Sequence, residues 1–118
     1  MYTDKSQKKR KTYNCPVEVT VEVLDGKWKP LILWHLRDET RRFAQLRRLM
    51  PSISQRMLTQ RLRELEADGL ITRKVYAVVP PRVEYSLTAL GRTLIPIMDQ
   101  MCDWGTNRLK TLPNARIA

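Results

Sequence analysis

The amino-acid sequence predicts an α+β fold in which several short helices precede a β-hairpin and a long last helix. Leucines recur at helical spacing from Leu58 to Leu65, which predicts a helix with one apolar face. Apolar residues alternate on both sides of Pro80-Pro81, a pattern typical of two strands joined by a stiff turn. After Thr88 the period becomes helical again and continues toward the end of the chain. Together these observations indicate a mixed domain with one core.

Length and charge indicate the broad class of protein. At 118 residues the chain suits one domain. Lys and Arg number 22 against 12 Asp and Glu, a net charge of +10, which favours a polyanion or an anionic membrane surface as partner. No apolar run approaches the ~20 residues of a membrane span, and no signal-peptide pattern follows the lysine-rich start. We therefore expect a cytoplasmic protein with no membrane partner.

The excess charge lies in two regions. Residues 1–17 carry five cations against one acidic residue, and residues 37–63 carry eight arginines against two. The polar, lysine-rich residues 1–13 have no periodicity and are predicted to form a flexible basic arm. The folded domain is expected to span residues 14–112, with a flexible tail over residues 113–118.

The first half of this domain is predicted to be helical. An N-terminal helix is expected to begin at Pro16, which suits a first helical position, and to end at Asp25-Gly26. Alternating valines in this segment leave a strand open as an alternative. A second helix is predicted from Trp28 to about Leu36, and a short third helix over residues 43–49.

The next elements complete a recognisable order. Ser54 is a natural N-cap for a fourth helix, which Gly69 ends. The hairpin follows, and Thr88 then caps a long last helix in which Pro96 removes a backbone hydrogen bond and is expected to cause a kink. A three-helix core with a hairpin wing, an N-terminal helix and a long C-terminal helix is the order of a winged helix-turn-helix domain.

The fourth helix carries candidate DNA contacts on the side away from its leucines. At ~100° per residue, four polar side chains lie opposite the leucines: Arg56, Thr59, Gln60 and Arg63. Arginine can bind guanine, glutamine adenine and threonine a thymine methyl group, so the set suits readout of the major groove. The start of a helix favours a phosphate, because its backbone N–H groups are free to donate. The candidates for this contact are Ser52, Ser54 and Gln55. A solvated helix face is the alternative, and the segregated charge favours DNA.

Basic residues beside this helix form a second group of candidates. Arg82 follows the double proline at the predicted hairpin tip, with Arg73 and Lys74 near the base. A stiff wing that carries an arginine can enter a minor groove or clamp phosphates, and Arg82 is favoured over Lys74 for this contact. Alternatively, these charges protect a strand edge from pairing with other chains. Four arginines flank the third helix as candidate phosphate contacts or ordinary solvated charges: Arg41, Arg42, Arg47 and Arg48.

Four stretches of the chain resemble the HxlR-type winged helix regulators, which are related to the MarR-like bacterial transcription factors. They are CPVEVTVEVLDGKWKPLILWHL (15–36), ISQRMLTQRLRELEADGLITR (53–73), VPPRVEYSLTALG (79–91) and PIMDQMCDWG (96–105). They follow one another in the order and spacing of the family. Asp25 replaces a small residue common before Gly-Lys-Trp, and Ala44-Gln45 replaces the usual Asn/Gly-Glu, which affects local contacts rather than the fold.

The resemblance implies a homodimer that binds double-stranded DNA at a palindromic or pseudo-palindromic operator. The helix after Ser54 would lie in the major groove with the Val78–Arg82 wing alongside, and the two such helices of a dimer would be ~34–36 Å apart. Repression is the favoured direction of control, with an unidentified small molecule or oxidant as inducer. Family dimers form through the first and last helices.

The apolar stripe of the last helix agrees with such a dimer. It extends beyond what a small core can cover, so part of it is expected to meet another surface. The expected interface residues are Val17, Val21, Leu94, Met98, Met101, Trp104 and Leu109.

Cys15 is a candidate redox sensor. It directly precedes the predicted helix start at Pro16 and is close to residues 8–11, which are basic, and both features stabilise a thiolate. Some members of the resembled family sense oxidants or electrophiles through a cysteine at this Cys-Pro position. An unreactive, partly buried thiol is the alternative. Cys102 is expected to pack beside the apolar stripe of the last helix.

The sequence offers no convincing catalytic or metal-binding set. The single histidine, His35, has no cysteine or acidic pair at metal-ligand spacing, and Cys15 and Cys102 are 87 positions apart. We therefore expect no metal, no cofactor and no enzymatic activity, because a thiol enzyme built on Cys15 and His35 is weakly supported. The competing function is a nonspecific architectural DNA- or RNA-binding protein attracted to polyanions by charge alone.

Overall fold

A computed structural model describes residues 11–117 and confirms the α+β winged helix-turn-helix fold within this range. Its helices are α1 (Pro16–Val23), α2 (Trp28–His35), α3 (Phe43–Leu49), α4 (Gln55–Ala67), α5 (Ala89–Arg92) and α6 (Ile95–Leu109). Its strands are β1 (Arg41–Arg42), β2 (Ile71–Tyr76) and β3 (Arg82–Leu87). Residues 1–10 of the predicted basic arm and residue 118 of the predicted tail lie outside the described residues. Within residues 11–117, no helix is long and apolar enough to cross a membrane.

The sheet has the strand order β1-β3-β2, and all pairs are antiparallel. The predicted hairpin is formed by β2 and β3, whose register runs from the pair Ile71↔Leu87 to the pair Tyr76↔Arg82. Strand β1 was not predicted. It contributes only two residues, which pair with Tyr85 and Glu84, and two residues are too few to show an alternating pattern.

The core lies between the helices and one face of the sheet. Leu58, Leu62 and Leu65 of α4 are all buried, which confirms the inward face predicted for this helix. They share the core with residues of five other elements or their connections: Ile32, Leu33, Leu36, Leu46, Met50, Ile53, Leu70, Ile71, Tyr85, Leu87, Leu94 and Met98.

Helix α4 begins and ends at the residues expected from the sequence. The Ser54 hydroxyl accepts a 3.0 Å hydrogen bond from the backbone N–H of Met57, as an N-cap does. After the helix, Gly69 has φ = 76°, a left-handed conformation that glycine adopts without strain. The chain therefore turns sharply from α4 into β2.

The last part of the chain differs from the single kinked helix that was predicted. Thr88 does cap a helix, because its hydroxyl accepts a 2.9 Å hydrogen bond from the Gly91 N–H, but that helix ends at Arg92. A separate helix, α6, then begins at Ile95 with Pro96 in its first turn. Pro96 has no N–H to donate to the Arg92 carbonyl, so continuing α5 would leave that carbonyl without its helical partner.

The segment before α1 is attached to that helix. Lys11 Nζ lies 3.0 Å from a Glu22 carboxylate oxygen, and the Tyr13 hydroxyl donates a 2.7 Å hydrogen bond to the other. The hydrogen bonds from Tyr13 and Lys11 lower the pKa of Glu22. Residues 11–13, which were predicted to belong to a flexible arm, thus contact α1. The alternative of a strand over residues 16–23 is wrong.

Candidate nucleic-acid interface

The polar side of α4 faces away from the core, as the spacing of its residues predicts. Arg56, Gln60 and Arg63 are exposed, and together with Gln55 and Thr59 they line one shallow depression on the protein surface. The Thr59 hydroxyl donates a 2.9 Å hydrogen bond to the Gln55 carbonyl within the helix. The side chains suited to major-groove readout therefore form one continuous surface.

The arginines of α4 fall into two groups. Arg61 contacts the carboxylate of Glu64, and Lys29 of α2 lies 3.6 Å from the same carboxylate. This cluster lies on the flank of α4 that faces α2. Within residues 11–117, Arg56 and Arg63 form no ion pair or hydrogen bond, so their guanidinium groups are available to a ligand.

The start of α4 presents its polar side chains to solvent. Ser52, Ser54 and Gln55 are all exposed, as expected for contacts to a phosphate. The Ser54 oxygen is already an acceptor for the Met57 N–H, while its own hydroxyl proton can still be donated. A phosphate at this position would therefore leave the helix cap intact.

Arg82 lies beside the turn of the wing. It is the first residue of β3 and pairs with Tyr76, the last residue of β2, so it directly follows the turn formed by residues 77–81. The Arg82 guanidinium lies 4.4 Å from the centroid of the Tyr76 ring, and its Nε is 3.5 Å from a Glu84 carboxylate oxygen. Lys74 Nζ lies 5.0 Å from the same ring centroid. Both predicted wing contacts are thus engaged within the hairpin.

The four arginines near α3 have different environments. Arg41 donates a 2.8 Å hydrogen bond from Nε to the His35 carbonyl, and Arg47 donates one of 3.5 Å to the Ile53 carbonyl. Arg41 therefore joins β1 to the end of α2. Arg42 and Arg48 are exposed and line a depression on the outside of the domain, where they remain candidates for phosphate contact.

His35 is half-buried at the end of α2, as expected for a residue at the edge of the core. Burial lowers the pKa of His35 below its ordinary value of 6.5, and the charges of Arg41 and Arg37 lower it further. Among residues 11–117, no three histidine, cysteine or acidic side chains are grouped closely enough to hold a metal ion.

Two of the residues predicted to form the dimer interface are buried inside the subunit. Leu94 and Met98 are only 8% and 3% exposed and belong to the core, because α6 packs these residues inward. Leu109 is half-buried. The other members of the set are exposed: Val17, Val21, Met101 and Trp104. These four side chains are the members of the predicted set that remain accessible to a partner.

Both cysteines are exposed free thiols. Cys15 is the N-cap residue of α1, where its N–H and that of Asn14 donate to the Glu18 carboxylate at 3.2 and 2.6 Å. Cys102 lines an apolar groove between α2 and α6 together with Trp34 and Met101. Local sequence patterns do not predict this groove, because it is formed by side chains distant along the chain.

Taken together, the outward polar face of α4 and the adjoining hairpin define a winged helix DNA-binding protein. The chain belongs to the HxlR-like helix-turn-helix family, which it matches over residues 23–112. It is 55% identical over 102 residues to YybR of Bacillus subtilis (strain 168), named an uncharacterized HTH-type transcriptional regulator; the alignment covers 86% of this chain and 82% of that relative.

Solved structures of relatives have the same fold. The redox regulator HypR in its oxidized form is 53% identical, with a TM-score of 0.77 over 87% of this chain and 100% of that chain. In its reduced form it is 57% identical, with a TM-score of 0.77 over 79% and 92% of the two chains. The chain is accordingly a transcriptional regulator of the HxlR type, and its family consists of DNA-binding regulators rather than enzymes.

Proposed function

We propose that this regulator is a homodimer that binds a palindromic operator sequence-specifically and represses transcription. The observation that carries the proposal is that the arginines on the two sides of α4 differ in pairing. Arg61 is paired on the flank facing α2, whereas Arg56 and Arg63 extend unpaired from the outer face beside Gln60. An outer face of this kind suits base contacts, while general attraction to a polyanion would need no such division.

Dimerisation is supported by the packing of α1. This helix has eight residues and none of them is buried. Its apolar side chains Val17 and Val21 are 64% and 60% exposed. A helix this short is marginal in water without tertiary packing. Trp104 of α6 is 70% exposed. A second copy that covers both helices would supply the missing packing and would remove these apolar side chains from water.

The proposal is tested by mobility-shift titration at ~150 mM salt, with DNA from upstream of the protein's own gene and a random duplex of equal length. We expect clear preference for the upstream DNA, because nonspecific binding is weak at this salt concentration. Arg63→Ala and Gln60→Ala should each cost about 1–3 kcal/mol and relax base preference. Arg61→Ala removes the same charge from the other flank of α4 and serves as the matched control.

The competing candidate, a nonspecific DNA- or RNA-binding protein, is favoured by the net charge of +10 alone. It predicts that Arg61→Ala and Arg63→Ala weaken binding equally and that upstream and random DNA bind alike. That pair of results would refute sequence-specific regulation.

We further propose that Cys15 makes DNA binding sensitive to oxidants. Its thiol is exposed at the start of α1, a helix of the proposed dimer surface, and two similar structures are those of a redox regulator. The thiolate would attack one oxygen of hydrogen peroxide, so that an S–O bond forms as the O–O bond breaks and the sulfur becomes a sulfenic acid; the hydroxide that leaves takes a proton from solvent to form water. Because this adds a polar oxygen at the end of α1, we expect the dimer to rearrange and release DNA.

The redox proposal is tested with Cys15→Ser and, as a matched control, Cys102→Ser. Peroxide should release DNA from the wild type and from Cys102→Ser, whereas Cys15→Ser should remain bound. If release persists in Cys15→Ser, the sensor lies elsewhere in the chain. Equal binding by all three proteins under reducing conditions would show that the substitutions leave the DNA-binding surface intact.

A further inference from the structure

The hairpin presents different basic residues on its two faces. Successive side chains of a strand point to opposite sides, so Ile71, Arg73 and Val75 share one face of β2, and Lys74 and Tyr76 lie on the other. Ile71 is buried in the core, which identifies its face as the one turned toward the helices. Arg73 is therefore on the inner side of the wing.

On the outer face of the hairpin, both cations already contact neighbouring side chains. The register places Lys74 opposite Glu84 and Tyr76 opposite Arg82, so these four side chains form one patch. Lys74 and Arg82 both lie over the Tyr76 ring, and Arg82 also lies beside Glu84. These cation–π and ion-pair contacts hold both cations on the side of the hairpin that faces away from α4.

On the inner face of the hairpin, Arg73 lies beside α4. Arg73 is exposed, and within residues 11–117 it forms no ion pair, hydrogen bond or ring contact. It lines a cleft between α4 and the sheet with Thr59, Arg63 and Glu66. The buried side chains of Leu62 and Tyr85 form the apolar base of this cleft. Two unpaired guanidinium groups thus share one opening.

We infer that Arg73 binds one backbone phosphate of the DNA at the flank of α4, beside the base-facing Arg63, and that Arg73 is the principal cation of the wing in this contact. The inference rests on the proposed function. Arg73 extends from a strand at the flank of α4, whereas bases would face the outermost side chains of that helix. When a helix lies in the major groove, the sugar-phosphate backbone rises along its flanks. Arginine suits phosphate because its planar donors can form paired hydrogen bonds.

The cleft that contains Arg63 and Arg73 also contains an acidic side chain, Glu66. Its carboxylate lines the same cleft and has no ion-pair partner within residues 11–117. A negative charge there repels a phosphate. Glu66→Gln should therefore tighten DNA binding, and it should do so on every sequence alike, because the phosphate carries no base identity.

The test uses the full-length protein, a duplex that the wild type selects from a random-sequence pool and a scrambled duplex, over ~50–200 mM salt. Each phosphate contact contributes about 0.9 to the slope of log affinity against log salt. Arg73→Ala should reduce that slope by about 0.9 per subunit and weaken both duplexes about fivefold per subunit at ~150 mM salt. Arg73→Lys should restore the slope. Lys74→Ala and Arg82→Ala, the matched controls, should leave it nearly unchanged.

Two results separate failure of the inference from failure of the proposed function. If Arg73→Ala keeps the wild-type slope while Arg82→Ala lowers it, the phosphate contact lies on the outer face and the inference is overturned. If the wild type binds the selected and scrambled duplexes equally, the proposed function itself fails. If Arg73→Ala lowers the urea midpoint of unfolding, Arg73→Gln is used in its place, because glutamine keeps most of the side chain without the charge. Arg73→Gln should give the same reduced salt slope.

Discussion

Replacing Gly91 by alanine should destabilise the protein, although alanine is the better helix former. An added Cβ at position 91 would lie 2.2 Å from the Leu70 carbonyl oxygen and 3.3 Å from Cδ2 of Leu87. Close carbon–oxygen contacts in proteins are about 3.3 Å, so α5 and the start of β2 would have to separate by about 1 Å. The same carbonyl accepts a 3.0 Å hydrogen bond from the Thr88 N–H, which the displacement would weaken.

The expected net effect is a loss of about 2 kcal/mol in the free energy of unfolding. Overpacking of this kind costs about 1–3 kcal/mol and the weakened hydrogen bond about 1 kcal/mol, while removing a helical glycine returns up to about 1 kcal/mol. For a domain of this size the melting temperature should fall by roughly 10 °C. Urea unfolding followed by circular dichroism measures the difference at one fixed protein concentration, because a dimer's stability depends on concentration.

Gly105→Ala is the matched control, because an added Cβ at that position in α6 has no atom within 4 Å. Here only the helix preference of alanine remains, so the free energy of unfolding should rise by about 0.5–1 kcal/mol. The two substitutions make the same chemical change with opposite expected signs. If Gly91→Ala proves as stable as the wild type, the close approach of α5 to β2 is not present in solution.

Three further changes test other parts of the structure. Ser54→Ala removes the cap bond to the Met57 N–H and should lower the free energy of unfolding by about 1 kcal/mol in urea, whereas exposed Ser52→Ala should not. The pKa of His35 is lower in the folded protein than in the unfolded chain, so the unfolded chain binds a proton more readily. The contribution of neutral His35 to the free energy of unfolding is therefore complete above pH 6.5 and is lost as pH falls through the lowered pKa. His35→Gln should therefore make unfolding less dependent on pH below 6.5, and an unchanged dependence would contradict this assignment. Trp104→Asp should shift the protein from dimer to monomer in sedimentation measurements, and an unaltered dimer would exclude α6 from the interface.

Local sequence signals were sufficient for most of the architecture. The Leu58, Leu62 and Leu65 spacing predicts both the buried and the exposed sides of α4, since a helix of known period has only one way to orient three core residues. Ser54 and Gly69 mark its ends because each has a local chemical reason to lie there. The hairpin was equally predictable from its alternating residues and the two prolines.

Features that depend on distant parts of the chain were not predictable in the same way. Strand β1 exists because β3 offers it hydrogen-bond partners, and the burial of Leu94 and Met98 follows from how α6 meets the core. The two prolines predict Arg82 beside the turn, where it lies, but its contact with the Tyr76 ring across the hairpin depends on strand pairing. Which wing cation lies beside α4 depends on the β2–β3 register, which no single stretch of sequence displays.

The break between α5 and α6 has a consequence for how operators can evolve. Thr88 fastens α5 to the end of α4, because its hydroxyl donates a 2.7 Å hydrogen bond to the Gly69 carbonyl while accepting one from Gly91. Helix α6 starts afresh after Leu94 and carries the proposed contact between subunits. In the proposed dimer, a substitution at the exposed Thr93 or Pro96 would therefore act on the joint between α5 and α6, and so on the angle between the subunits, without touching the side chains proposed to contact bases. Half-site separation and half-site sequence can therefore diverge independently among descendants of one ancestral regulator.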